Sequence, residues 1–99
     1  MTIIRITRFG AAPSVDTDAL LARRTALIST IRASYSGLLD TRLTRAEDGT
    51  WVDIWHWDSA DSAMTVAQAG LPEAAAAFAV TTNATVEQAE IIDEDRGKP

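Results

Sequence analysis

The chain carries one histidine, His56, set between Trp55 and Trp57, with Trp51 earlier in the same run. Imidazole titrates near neutrality, which suits a general base or a hydrogen-bond partner. Indole rings offer a flat apolar wall with an N–H donor at the edge. Each feature has a functional and a structural reading. His56 is either a base in a pocket between sheet and helices or a hydrogen-bonded core residue. The tryptophans either wall a site for a flat organic ligand or pack a subunit interface, where large aromatics are enriched. Arg42 beside Trp55 reads as a cation–π or cross-strand pair. Asp40, Arg42 and Asp53 read as ion-pairing partners between two sheets.

Other chemistries lack their residues. With no cysteine, thiolate catalysis, a disulfide framework and zinc–thiolate sites are excluded. One histidine and scattered carboxylates give no metal-ligand spacing, so no metal is expected. No Ser-His-Asp arrangement can be assembled, and the five glycines are isolated punctuation rather than a phosphate loop. A net charge of −5 with dispersed basic residues argues against nucleic acid, which rewards a clustered basic face. Charge enters the first apolar stretch at Arg5, so the N-terminal segment reads neither as a signal peptide nor as a membrane span. A cytoplasmic protein is the expectation.

The elements that must position these residues follow from pattern. Ninety-nine residues, 46% hydrophobic and 23% charged, make one domain of ordinary globular composition. A chain of this size leaves much of its surface uncovered, so burial against a second subunit would help. Thr2 to Phe9 is β-branched and stops at Gly10, which predicts a strand. Asp16 is a suitable N-cap for a helix whose stripe runs through Leu20, Leu21, Leu27, Ile28, Ile31 and Tyr35, with Arg23, Arg24 and Arg32 off it. Gly37 suits the left-handed position after that helix. Strands over about 38–45 and 50–58 flank Asp48-Gly49, a strong hairpin signal. Asp58-Ser59 caps a short helix ending near Gly70, and Pro72 opens an alanine-rich helix to Val80 with Phe78 as its large apolar residue. A last strand runs from Ala84 to Ile92. The order is β-α-β-β-α-(α)-β, the ferredoxin-like α+β layout with a four-stranded antiparallel sheet. The domain is expected over residues 1–92, with a frayed charged tail over 93–99.

A two-residue turn at Asp48-Gly49 would pair Leu43 with Ile54 and Arg42 with Trp55. One hairpin face then carries Leu39, Leu43, Val52, Ile54 and His56 and suits packing under helices. The other carries Trp51, Trp55 and Trp57, too much aromatic surface to leave in water. A symmetry-related sheet is the simplest cover, so a homodimer joined through the tryptophan face is expected.

The strand IRITRF, the hairpin DTRLTRAEDGTW and the junction WHWDSADSA followed by GLPEAAAAFAV resemble the antibiotic-biosynthesis-monooxygenase-like family of dimeric α+β barrels, over Ile3 to about Ile92. The resemblance implies a homodimer with a pocket in each subunit between sheet and helices. It also implies a cofactor-independent monooxygenase-like activity on a small aromatic or polyketide-like substrate, which is itself deprotonated and reduces oxygen. A non-catalytic small-molecule-binding or structural homodimer is the alternative. The haem-degrading branch has an asparagine, a tryptophan and a histidine where this chain has Thr7, Val66 and Ala76, so its chemistry does not transfer. The pocket candidates are His56 as catalytic residue and Thr7, Tyr35, Trp55 and Trp57 as substrate contacts, with Arg5 beside them.

Overall fold

A computed structural model describes residues 2–95 and 97. Its elements are β1 (Ile3–Ala11), α1 (Thr17–Ser34), β2 (Leu38–Arg45), β3 (Trp51–Trp57), α2 (Ala60–Gln68), α3 (Pro72–Phe78) and β4 (Thr81–Glu90). The strands form one antiparallel sheet in the order β2-β3-β1-β4. This is the expected ferredoxin-like α+β layout, with β1 and β3 central and all three helices on one face. No described helix is long and apolar enough to cross a membrane. Residues 91–95 follow β4 without regular structure. Of the expected tail, Arg96, Lys98 and Pro99 lie outside the described residues.

Local chemistry sets the helix starts. Asp16 caps α1, its Oδ1 accepting the Ala19 N–H at 2.7 Å, and Asp18 sits in the first turn against the positive end of the dipole. Ser59 caps α2 by accepting the Ser62 N–H at 3.1 Å. Pro72 opens α3, where its missing N–H costs nothing. The last strand begins at Thr81, three residues before the expected Ala84. A register shift opposite Arg8 to Gly10 and the positive φ of Asn83 (53°) mark the irregularity that hides its start.

The hairpin differs from expectation by one residue. The Ala46 N–H donates to the Thr50 carbonyl at 2.8 Å and the Gly49 N–H to the Ala46 carbonyl at 2.9 Å. The connection is therefore the three residues Glu47, Asp48 and Gly49, with Gly49 at φ +89°. The Thr50 N–H, donated to Asp48 Oδ1 at 2.9 Å, holds that carboxyl below its usual range. This contribution is present above the ordinary carboxylate pKa and is lost as pH falls through the lowered one. Leu43 consequently pairs with Asp53 and Arg42 with Ile54, not with Ile54 and Trp55. A one-residue slip moves every β2 side chain to the other face. The expected contact of Arg42 with Trp55 is replaced by Arg45, whose guanidinium lies 4.0 Å from the Trp51 ring centroid.

The two sheet faces are also exchanged relative to expectation. Ile3, Arg5, Thr7 and Phe9 of β1 stand beside Trp57, Trp55, Asp53 and Trp51 of β3, and this set faces the helices. Two apolar clusters form on it. One joins Ile3 and Trp57 to Leu27, Ile31 and Ala63. The other joins Phe9 to Leu20 and Val80, with Trp51 packed against it. The opposite face, with Ile4, Ile6, Val52 and Ile54, has no helix of the described residues over it. Size explains the choice. Each tryptophan removes on the order of 200 Å² from water and reaches across the gap to a helix. Short β-branched side chains make a flatter surface, better matched to a second sheet.

Gly37 does not serve as the residue immediately after the cap of α1, a cap that falls on Tyr35. It has φ +116°, and a Cβ there would lie 2.7 Å from Ser62 Cβ and 2.9 Å from Asp58 Oδ1. The glycine lets the entry to β2 cross the start of α2. Gly49 needs only its positive φ, because nothing lies within 4 Å of its absent Cβ. Replacing Gly37 by alanine should therefore cost about 2–4 kcal/mol, against about 1 kcal/mol for Gly49→Ala. Denaturant unfolding of the two variants checks the difference, and equal losses would refute the crowding at Gly37.

Candidate ligand cavity

Between the two apolar clusters, the middle of the helix-facing sheet surface is polar. Arg5 and Thr7 lie between Ile3 and Phe9 on β1, and Asp53 lies between Trp51 and Trp55 on β3. The helix above follows the same plan. Leu20, Arg24, Leu27 and Ile31 are spaced by four, three and four residues, so they share one face of α1. Arg24 is thus part of the inward stripe and not off it. Its Nε and Nη2 each donate to a carboxylate oxygen of Asp53, both at 2.9 Å. The two side chains are only 18% and 12% exposed.

Around this bridge lies a cavity of about 290 Å³, at the lower edge of the size range for small-molecule sites. The sheet supplies Arg5, Thr7, Phe9, Asp53, Trp55 and Trp57 to its wall. Leucines and small side chains of the three helices, among them Leu27, Ala63, Val66 and Ala74, complete it. The rings of Trp55 and Trp57 are 6.2 Å apart and tilted by 35°. At the far end Phe9 stacks on Trp51, centroids 6.4 Å apart. Phe78 and Val86, both close to half exposed, border the cavity beside β4. The alanine run of α3 keeps that helix thin where it faces the cavity, through Ala74 and Ala77, and Arg23 ties it to α1 by donating to the Ala76 carbonyl at 2.9 Å.

Among the described residues, two donors in this region have no acceptor. Arg5 Nε and Trp57 Nε1 are both shut off from solvent and unbonded. Among the described residues no group of three or more His, Asp or Glu side chains is arranged to hold a metal ion.

Thr7, Trp55 and Trp57 thus border the cavity. Tyr35 does not; it packs against the cluster of Ile3, Leu27 and Ile31. His56 is on the other side of the sheet. It pairs with Ile4 of β1 and Asp40 of β2, so the pocket expected around it, between sheet and helices, is not where it stands. The ring is 5% exposed, with Nδ1 3.4 Å from Asp40 Oδ2 and Nε2 without a partner. His56 does share a face with Val52 and Ile54, as expected; what differs is that this face is the one without helices. Sequence reasoning missed Arg24 and assigned Asp53 to an interface. The spacing 20-24-27-31 is the signal that would have found the arginine.

The fold is that of the antibiotic-biosynthesis-monooxygenase proteins, as solved structures of similar architecture show. SnoaB, a cofactor-independent oxygenase from Streptomyces nogalater, superposes with a TM-score of 0.75 at 18% identity, over 94% of this chain and 95% of that one. Rv0793 from Mycobacterium tuberculosis gives 0.72 at 22% identity, over 97% and 100%. A protein described as an antibiotic biosynthesis monooxygenase gives 0.68 at 15% identity, over 92% and 99%. No protein-family model and no curated protein sequence matches the chain.

The Arg24–Asp53 bridge is a partly buried pair between helix and sheet, and removing one partner strands the other. Arg24→Met should lower stability by about 3 kcal/mol, the lower end of the range for such breaks because both groups retain some exposure. Arg24→Met combined with Asp53→Leu should recover most of the loss. Urea denaturation of the three proteins measures it, and a double variant no more stable than the single one would contradict the pairing.

Proposed function

We propose that this chain is a monooxygenase-like protein that takes a small aromatic or polyketide-like substrate into the cavity between helices and sheet. The observation that carries the reading is the cavity itself: an apolar chamber walled by Trp55 and Trp57, in a fold shared with a cofactor-independent oxygenase. In this reading the substrate is the reductant. A benzylic CH2 activated by neighbouring carbonyl or hydroxyl groups gives a proton to water as the ring enters, and the peroxide that forms later takes one back. The resulting anion passes one electron to dioxygen, and the radical pair combines to a peroxide. Loss of water then leaves a carbonyl, so CH2 and O2 become C=O and H2O. The protein's part is to bind the ring, exclude water and stabilise the anion. Trp55 and Trp57 supply the ring surface, and Thr7 supplies a hydroxyl. His56 has no part in this site, because the sheet separates it from the cavity.

One observation favours the alternative of a binding protein without turnover. Asp53 is the only carboxylate bordering the cavity among the described residues, and it is already held by Arg24. Oxygen uptake by metal-free protein with an anthrone-type substrate separates the two readings. Turnover is expected, with Trp55→Ala lowering kcat/KM by about tenfold or more through lost ring contact and His56→Gln leaving it unchanged. Binding without oxygen uptake would establish the alternative. Loss of turnover in His56→Gln with the quaternary state intact would return the histidine to the mechanism.

The uncovered sheet face is the surface through which we propose that two copies associate. Ile4, Ile6, Val52 and Ile54 form its centre, with Arg8 paired to Glu87 at its margin and Asp40 beside His56. An apolar centre with a charged rim is the anatomy of a subunit interface. Light scattering should give twice the monomer mass, and Ile54→Asp should give the monomer. A wild-type monomer at micromolar concentration would sink this assignment.

A further inference from the structure

We infer that the cavity selects a planar aromatic monoanion that carries its charge on oxygen, and that Arg5 is the residue that recognises it. The inference rests on the ligand-binding reading above and adds the charge of the ligand and the residue that senses it.

Three charged side chains border the cavity among the described residues: Arg5, Arg24 and Asp53. Arg24 and Asp53 cancel each other through two hydrogen bonds of 2.9 Å. Arg5 is left over. It stands at the centre of β1, between Trp55 of β3 and Gln88 of β4. No carboxylate of the described residues bonds to it, and its Nε is closed to solvent without an acceptor. The cavity therefore holds one uncompensated positive charge, although the chain as a whole carries −5. A guanidinium offers donors and no acceptor, so the unmatched Nε can be satisfied only by an acceptor brought in from outside. A ligand with one anionic oxygen supplies the missing partner in a setting of low dielectric, where a charge-assisted hydrogen bond is strong.

The surroundings restrict the rest of the ligand. The Trp55 and Trp57 rings and the leucine and alanine walls suit a flat apolar body. Arg5 and Trp55 are direct cross-strand neighbours, so one edge of a ring lying on Trp55 comes beside the guanidinium. A dianion would exceed the available charge by one and would face Asp53. A neutral ring would fill the apolar volume but leave Arg5 unpaired.

Titration calorimetry with naphthoate and its neutral isostere naphthamide, at neutral pH, tests this without any turnover. On the unaltered protein, naphthoate should bind about tenfold to a hundredfold more tightly, the range of one charge-assisted hydrogen bond. Arg5→Gln should reduce the ratio to about one by removing the charge, while Arg5→Lys should retain part of it. Equal binding of the two probes to the unaltered protein overturns the anion assignment and leaves the aromatic-cavity reading intact. A preference that survives Arg5→Gln in a folded variant overturns the role of Arg5. Binding of neither probe overturns the inference together with the reading beneath it.

Discussion

The bidentate pair between Arg24 and Asp53 is the constraint around which the site is organised. It links α1 to β3 midway along the sheet, between the cluster around Trp57 and the cluster around Phe9. Had both positions been leucine or valine, the two clusters would merge into one continuous core. An ion pair fixes the distance between helix and sheet while leaving space beside it. Partly buried pairs add little to net stability compared with apolar replacements, so a pair placed here is better understood as a spacer with directional hydrogen bonds. It also removes two of the three charges that border the cavity among the described residues, which is why the charge of Arg5 stands out.

The sheet divides its labour by face. Side chains at odd positions of β1 and β3 serve the helices and the cavity, while those at even positions serve the uncovered surface. Both central strands are apolar on both sides, and that is why their sequences do not alternate cleanly. A sheet with helices on one face and aliphatic side chains on the other keeps its second face apolar. The short β-branched residues Ile4, Ile6, Val52 and Ile54 give a surface that can lie flat on another sheet. The His56–Asp40 contact belongs to that surface and not to the cavity.

Element order was legible in the sequence because each boundary carries its own chemical mark: Asp16, Ser59 and Pro72 at helix starts, and Gly49 in the hairpin. Need for burial on both sheet faces was equally legible from the apolar content of β1 and β3. Which face turns to the helices was not, because periodicity groups side chains without saying where each group points. The hairpin misled for a related reason. Asp-Gly fits both a two-residue turn and the end of a three-residue loop, and the difference of one residue inverts β2. Arg24 falls off the stripe when that stripe is traced through Leu20, Leu21, Leu27 and Ile28, although its spacing from Leu20, Leu27 and Ile31 puts it on the inward face. A charged residue within an apolar stripe calls for a partner across the interface, and Asp53 was the available one.

An apolar cavity alone discriminates poorly, since adding or removing one methylene changes binding by only about 1–3 kcal/mol. The rings of Trp55 and Trp57 would accept many flat molecules of suitable size. Discrimination comes from polar groups that are costly to leave unmatched. Trp57 Nε1 and Arg5 Nε are both unbonded in the closed interior, so a ligand lacking acceptors forfeits both. Of the two, the charged group weighs more, because its desolvation is the larger penalty. On the proposed reading, a guanidinium that selects an anion would also favour ionisation of an acidic substrate, since an opposite charge within a few ångströms lowers an acid's pKa. The proton would pass to water, so that recognition and activation would share one residue. Such a division would suit a cavity whose one carboxylate among the described residues is held by Arg24, with the chain's single histidine across the sheet.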